Sequence, residues 1–149
     1  MLGKRVFATV AVLALLTACE PRANSEKVAL ARSRTGGLMI LICPPFGGVR
    51  SVVVRKPKAM SEPTRSRSEV YWTIRSRRPT SVTTIRYGST PGGFTADSVA
   101  KPIPIGGVQV VVNGEFAEDA NFRSIPIGRV AYGADHVSES EFRSQAGCP

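Results

Sequence analysis

Residues 107–116 read GVQVVVNGEF. Val108, Val110 and Val112 put a stripe of β-branched side chains on one face of an extended strand. Asn113-Gly114 then supplies the two residues that most readily adopt the positive φ angles of a tight hairpin turn. A chain committed to a hairpin here needs partner strands, and the same grammar recurs along its length. GLMILIC, at 37–43, is a continuous apolar run between Gly-Gly and Pro-Pro, the pattern of a buried strand. VRSVVVRK, at 49–56, is rich in β-branched residues and stops at Pro57. In EVYWTIRS, at 69–76, Val70, Trp72 and Ile74 fall on one side and Glu69, Tyr71, Thr73 and Arg75 on the other. After a short RRPT link, SVTTIRYG reads as its hairpin partner, with Thr83, Ile85 and Tyr87 on one face. IPIGRVAYG is a further strand, and residues 134–148 form a short helix from Asp135 or a closing strand.

Helical periodicity is nearly absent after the N-terminal segment, and Gly and Pro turns punctuate the chain. The expectation is an all-β fold: one small antiparallel β-sandwich or barrel of about six or seven strands, built from residues 37–149. Residues 20–36 are polar, with proline, glycine and scattered charge. SEKVALAR within them has only a narrow apolar face, so residues 19–36 read as a flexible tether.

The N-terminus has a different character. Lys4 and Arg5 precede the apolar stretch Val6 to Leu16, and Thr17-Ala18-Cys19 follows. A basic start, a short apolar core and small residues at its end make a secretory signal over residues 1–18. Eleven residues at about 1.5 Å each cover roughly half of a ~30 Å hydrocarbon core, too little for a spanning helix. Leu16-Thr17-Ala18-Cys19 resembles the lipobox of bacterial lipoprotein precursors. That resemblance implies cleavage before Cys19, a diacylglyceryl group on its sulfur and a chain held on the cell membrane or outer membrane by acyl chains. The alternative is an ordinary signal peptide with an incidental cysteine. Further along, Trp72-x-Ile74 and Tyr87-Gly88-x-x-Pro91-x-Gly93-Phe94 resemble a strand and glycine-proline turn of small uncharacterised envelope lipoproteins, a likeness too unspecific to carry a function.

Two other cysteines, Cys43 and Cys148, are an even pair in a compartment that permits disulfides, and a bridge between them is expected. No C-x-x-C spacing occurs, so a thioredoxin-like redox role has no support.

The formal charge is +9, and it is unevenly spread. Residues 50–86 hold ten Lys and Arg against Glu62 and Glu69, a net of +8, whereas residues 87–149 hold four basic and seven acidic residues, a net of −3. For an exported, membrane-held chain, nucleic acid is an improbable partner. Anionic lipid, cell-wall polymer or an envelope protein fits better. Alternation along the strands nominates Arg75, Arg77 and Arg86, joined by Arg65 and Arg67 from the preceding loop, as an anionic-surface contact. A solvated basic surface is the plainer alternative.

Catalytic groups are sparse. His136 is the only histidine, which disfavours a zinc site or a Ser-His-Asp arrangement, and no G-x-S-x-G stretch presents a serine. Ser98-Val99-Ala100-Lys101 matches S-x-x-K, yet Pro102 follows the lysine and disfavours helix there, and no S-D-N or K-T-G follows. Glu115, Glu118 and Asp119 cluster beside the Asn-Gly turn, where solvation is expected. The sequence therefore points to a non-catalytic, lipid-anchored envelope β domain without a cofactor or metal that binds or supports another envelope component. An inhibitor or immunity lipoprotein blocking a secreted enzyme is the alternative, and a small hydrolase is less favoured.

Overall fold

The computed structural model describes residues 27–43, 48–58 and 67–148, with the side chains of 116–119 excepted. The signal segment, Cys19 and Arg65 therefore lie outside the described residues. Ten strands form two antiparallel sheets: β1 Val28–Arg32, β2 Leu38–Ile42, β3 Val49–Arg55, β4 Val70–Thr80, β5 Thr84–Arg86, β6 Phe94–Ala96, β7 Val108–Val112, β8 Glu115–Ala120, β9 Val130–Tyr132 and β10 Asp135–Val137. The first sheet has the order β10-β9-β1-β2-β5 and the second β6-β4-β3-β7-β8. The two face each other as a sandwich, not a closed barrel. Among the described residues one α-helix follows, α1 Glu139–Gln145, and a 3-10 turn spans Phe122–Ser124.

The inter-sheet core draws mainly one parity from each strand, with Tyr71 on β4 and Val49 on β3 added from the other. Val28 and Leu30, Leu38, Ile40 and Ile42, and Ile85 come from the first sheet; Val52, Val54, Trp72, Ile74, Val108, Val110 and Val112 come from the second. Trp72 is 1 % exposed and meets the Tyr87 ring edge-on, with centroids 5.3 Å apart. Burying Val-, Ile- and Leu-sized side chains stabilises by about 1.5–3 kcal/mol each, before the entropy of ordering them is subtracted. Asn113 and Gly114 turn the β7–β8 hairpin with φ of 54° and 81°, as the dipeptide requires.

The opposite parity of the first sheet is buried as well. Ala29, Ala31, Leu41, Cys43 and Val130 pack with Phe142 and Ala146 of the α1 segment. This second layer explains why GLMILIC has no polar alternation, since both of its faces are covered. Ala29 and Ala31 are β1's contribution to this layer, small side chains that leave room for Phe142. Ser138 caps α1 by accepting from the Glu141 N–H, while the Glu141 carboxylate accepts from the Ser138 N–H. These bonds hold the Glu141 carboxyl below the usual carboxylate range. At the other end the Lys27 amino group donates to the Ala146 carbonyl, as suits a cation at a helix C-terminus. The disulfide Cys43–Cys148 joins the end of β2 to the chain just past the helix, across a sequence separation of 105.

Three expectations change. Residues 28–32, read as tether, form a central strand with β2 and β9 on either side. Their apolar residues occupy both parities because both faces are covered, which looks like weak patterning in the sequence. SVTTIRYG is not the hairpin partner of β4: β5 pairs with β2, so the chain crosses between sheets over residues 81–83. A three-residue strand carries one inward side chain, Ile85, which cannot specify a partner. RRPT is not a link but the bulged end of β4, where the register jumps from Ser51↔Arg75 to Val49↔Thr80. Pro79 is tolerated there because bulged residues need not donate to a ladder.

Candidate functional site

The strand registers define two poles. Val28 pairs with Ile42, the Ile42 N–H donates to Thr83, and Thr80 pairs with Val49. The entry to β1, the disulfide, the start of β3 and the end of β4 thus share one pole. Chain arriving from residue 26 enters there. Val70 pairs with Arg55, and Leu38 with Arg32, at the opposite pole.

At the entry pole the bulge of β4 opens a groove of about 600 Å³ lined by Arg75, Ser76, Arg77, Arg78, Thr80 and the Gly93–Thr95 segment. Its floor is held by hydroxyl bonds: Ser76 Oγ donates to the Arg78 carbonyl at 2.6 Å and lies 3.0 Å from Thr80 Oγ1. Arg75 pairs with Asp97 at 2.8 Å, on the exposed side of the groove. Arg77 and Arg78 are exposed and have no ion-pair partner among the described residues. Gly48 holds the bulge in place from β3. Its φ is +85°, and a Cβ there would lie 2.5 Å from the Pro79 Cβ, so only glycine fits. Arg50, exposed, stands on β3 across from the bulge; its backbone N–H, with that of Ser51, donates to the Asn113 side chain.

The far pole differs in chemistry. A cleft of about 300 Å³ is lined by Lys56, Lys58, Tyr71 and Ile105 among others. Val70 is 42 % exposed, Val99 and Ile105 each 90 %, and Ile127 57 %. The first three lie around Tyr71: Val70 precedes it, Ile105 shares its cleft, and Val99 sits between Asp97 and Lys101, whose N–H groups donate to the Thr73 and Tyr71 carbonyls. Burial and then Glu69 raise the Tyr71 pKa. The Tyr87 hydroxyl donates to the Lys101 carbonyl at 2.6 Å, and partial burial, with Tyr71 beside it, pushes its pKa up to about 12.

Of the five arginines nominated from the sequence, Arg65 lies outside the described residues and the other four do not share one surface. Arg75 and Arg77 share the groove, joined by Arg78, which that reading assigned to a link. Arg86 pairs across from Met39 on the outer face of the first sheet, because β5 belongs to that sheet. Arg67 is exposed at the approach to β4, at the far pole. Alternation alone could not find Arg78 or the hydroxyls of Ser76 and Thr80, since a bulge breaks the period of two.

Ser98 and Lys101 lie on a segment that bends at Ser98 and has no regular secondary structure, without the helix that S-x-x-K chemistry uses. His136 is exposed on the edge strand β10. Glu115 is exposed beside the hairpin turn, and the side chains of Glu118 and Asp119 are outside the described residues. Among the described residues no three His, Cys, Asp or Glu side chains converge as metal ligands, and no helix is long and apolar enough to cross a membrane. Set against known proteins, the chain matches no family model, no curated protein and no solved structure.

Proposed function

We propose that this chain is a lipid-anchored envelope protein, held on a cell membrane or outer membrane by acyl groups on Cys19, whose β-sandwich serves binding rather than catalysis. The observation that carries the reading is the pairing of cysteines. The fold joins Cys43 to Cys148, so the one cysteine outside that pair is the one in the lipobox-like Leu16-Thr17-Ala18-Cys19. A disulfide between a core strand and the C-terminal segment also suits an oxidising compartment. The partner surface in this reading is the far pole, where exposed Val70, Val99 and Ile105 surround a cleft bordered by Lys56 and Lys58. Apolar side chains of that size at the end remote from the anchor fit a protein component of the envelope.

Two measurements test this. Intact mass of the purified protein should give a mature N-terminus at Cys19 carrying acyl chains; an unmodified Cys19 or cleavage elsewhere removes the anchor. A photo-crosslinker placed at Ile105 in living cells should yield one discrete adduct, and the same probe at Arg86 none. A smear at both positions, or nothing at either, removes the binding role. An adduct identified as a secreted enzyme whose activity the chain blocks would make it an inhibitor instead.

A further inference from the structure

The anchor and the arginine groove belong to the same end of the molecule. Residues 19–27 separate Cys19 from β1, and nine residues reach at most roughly 30 Å. Chain enters β1 at the pole where Thr80 pairs with Val49 and where the groove opens. A membrane that holds Cys19 is therefore within reach of Arg77 and Arg78. Those two guanidiniums have no carboxylate partner among the described residues, Arg75 has one, and Ser76 and Thr80 add hydroxyls beside them. Planar guanidinium donors next to hydroxyls match the oxygen array of a phosphate. The volume of about 600 Å³ is ample for a phosphate and its neighbouring atoms.

We propose that the groove of Arg75, Arg77, Arg78, Ser76 and Thr80 docks the phosphate of an anionic phospholipid headgroup in the membrane that carries the anchor. Charge complementarity and the short reach of the chain outside the structure select lipid over other phosphates. The acyl chains set residence on the bilayer, and the groove sets orientation, turning the far pole outward. The proposal rests on the anchored reading above, and its test separates the two.

The acylated mature chain is reconstituted in vesicles of phosphatidylcholine, alone or mixed with phosphatidylglycerol. Arginines are labelled with phenylglyoxal and mapped by mass spectrometry. Labelling of Arg77 and Arg78 should slow on the order of fivefold with phosphatidylglycerol present, the factor that about 1 kcal/mol per surface charge gives. Arg67 and Arg86, away from the groove, should label equally on both vesicles. Equal labelling of Arg77 on both compositions, or equal slowing at all four arginines, overturns the groove as a docking site. The same protection from inorganic phosphate on phosphatidylcholine alone overturns the lipid as its occupant. A chain that washes off both vesicles overturns the anchor, an outcome distinct from the others because retention does not depend on headgroup. For a readout free of the anchor, the Cys19→Ser chain should bind phosphatidylglycerol vesicles, and Arg77→Gln with Arg78→Gln should weaken that binding by more than tenfold. A loss of the same size with Arg67→Gln and Arg86→Gln overturns the proposal in favour of undirected charge.

Discussion

The entry pole and the far pole of this sandwich are closed by different physics. At the entry pole the chain is tied to itself: a disulfide, a lysine on the Ala146 carbonyl at the C-cap of α1, and a glycine against a proline hold four strand ends and a helix terminus together. Beside that cross-tied backbone, Arg77 and Arg78 have no ion-pair partner among the described residues. At the far pole strands end in longer connections, and large apolar side chains remain in water. The entry pole thus presents guanidinium and hydroxyl groups, and the far pole presents apolar side chains bordered by Lys56 and Lys58. The first array suits a small anionic group, and the second suits burial against a larger partner.

The sharpest way to break the contrast is to cut the staple. Cys43→Ser with Cys148→Ser should lower stability by about 2–4 kcal/mol, with roughly 5 kcal/mol the upper figure for a loop this long. Urea unfolding with and without reductant measures it, and a midpoint that does not move would mean the entry pole holds without its bridge. Part of the effect acts on the unfolded chain, so the m-value should shift too.

Gly48→Ala should rank next, at about 2–3 kcal/mol, because it adds positive-φ strain to a collision with Pro79. Thermal melts against wild type test this; a loss below about 0.5 kcal/mol would show that the bulge yields freely and that the groove floor is not rigid.

High pH should act on the far pole. The Tyr87 pKa is raised, so the folded state holds its proton more tightly than the unfolded chain. Its stabilising contribution is complete below pH 10 and is lost as pH rises toward about 12. The Tyr87→Phe variant should flatten that part of the stability profile, and an unchanged slope would assign it to other groups. Glu141 has the opposite sign. Its lowered pKa contributes stability above the ordinary carboxylate range that fades as pH falls through the folded value, and Glu141→Gln removes that dependence.

Surface changes come last. Ile105→Ser, 90 % exposed in the wild type, should leave stability within about 0.5 kcal/mol while abolishing the discrete crosslink from a photo-crosslinker placed at the neighbouring exposed Val99. Arg75→Gln removes an exposed ion pair and should cost about 0.5 kcal/mol or less. A larger loss from either would mean that the side chain packs as well as contacts solvent.

The legible parts of the fold were those with strong local signals. Asn113-Gly114 located a hairpin, and Val108, Val110 and Val112 gave its inward face. The Cys43–Cys148 bridge followed from parity and compartment. The candidate site was less legible: two of its three arginines were nominated, but with three others that lie elsewhere or outside the described residues. The groove exists because a bulge re-aims side chains, and a bulge leaves no periodic trace.

By itself the sequence determined the class, since alternation at a period of two and turn dipeptides act over a few residues and admit no helical answer. It also determined the inward stripe Val108, Val110 and Val112, whereas on β4 only Trp72 and Ile74 kept their expected side: Val70 is 42 % exposed, and Tyr71 and Thr73, read as outward, are buried. Only the tertiary structure decided which strand pairs with which, and so which residues share a surface. Val28–Arg32 became a central strand because α1 and the second sheet cover its two faces, a condition met by segments more than 100 residues away. β5 joined β2 rather than β4, which put Arg86 on the other side of the sandwich from Arg75. Pairing energy depends on the partner's face and edge, and these are supplied by the rest of the chain.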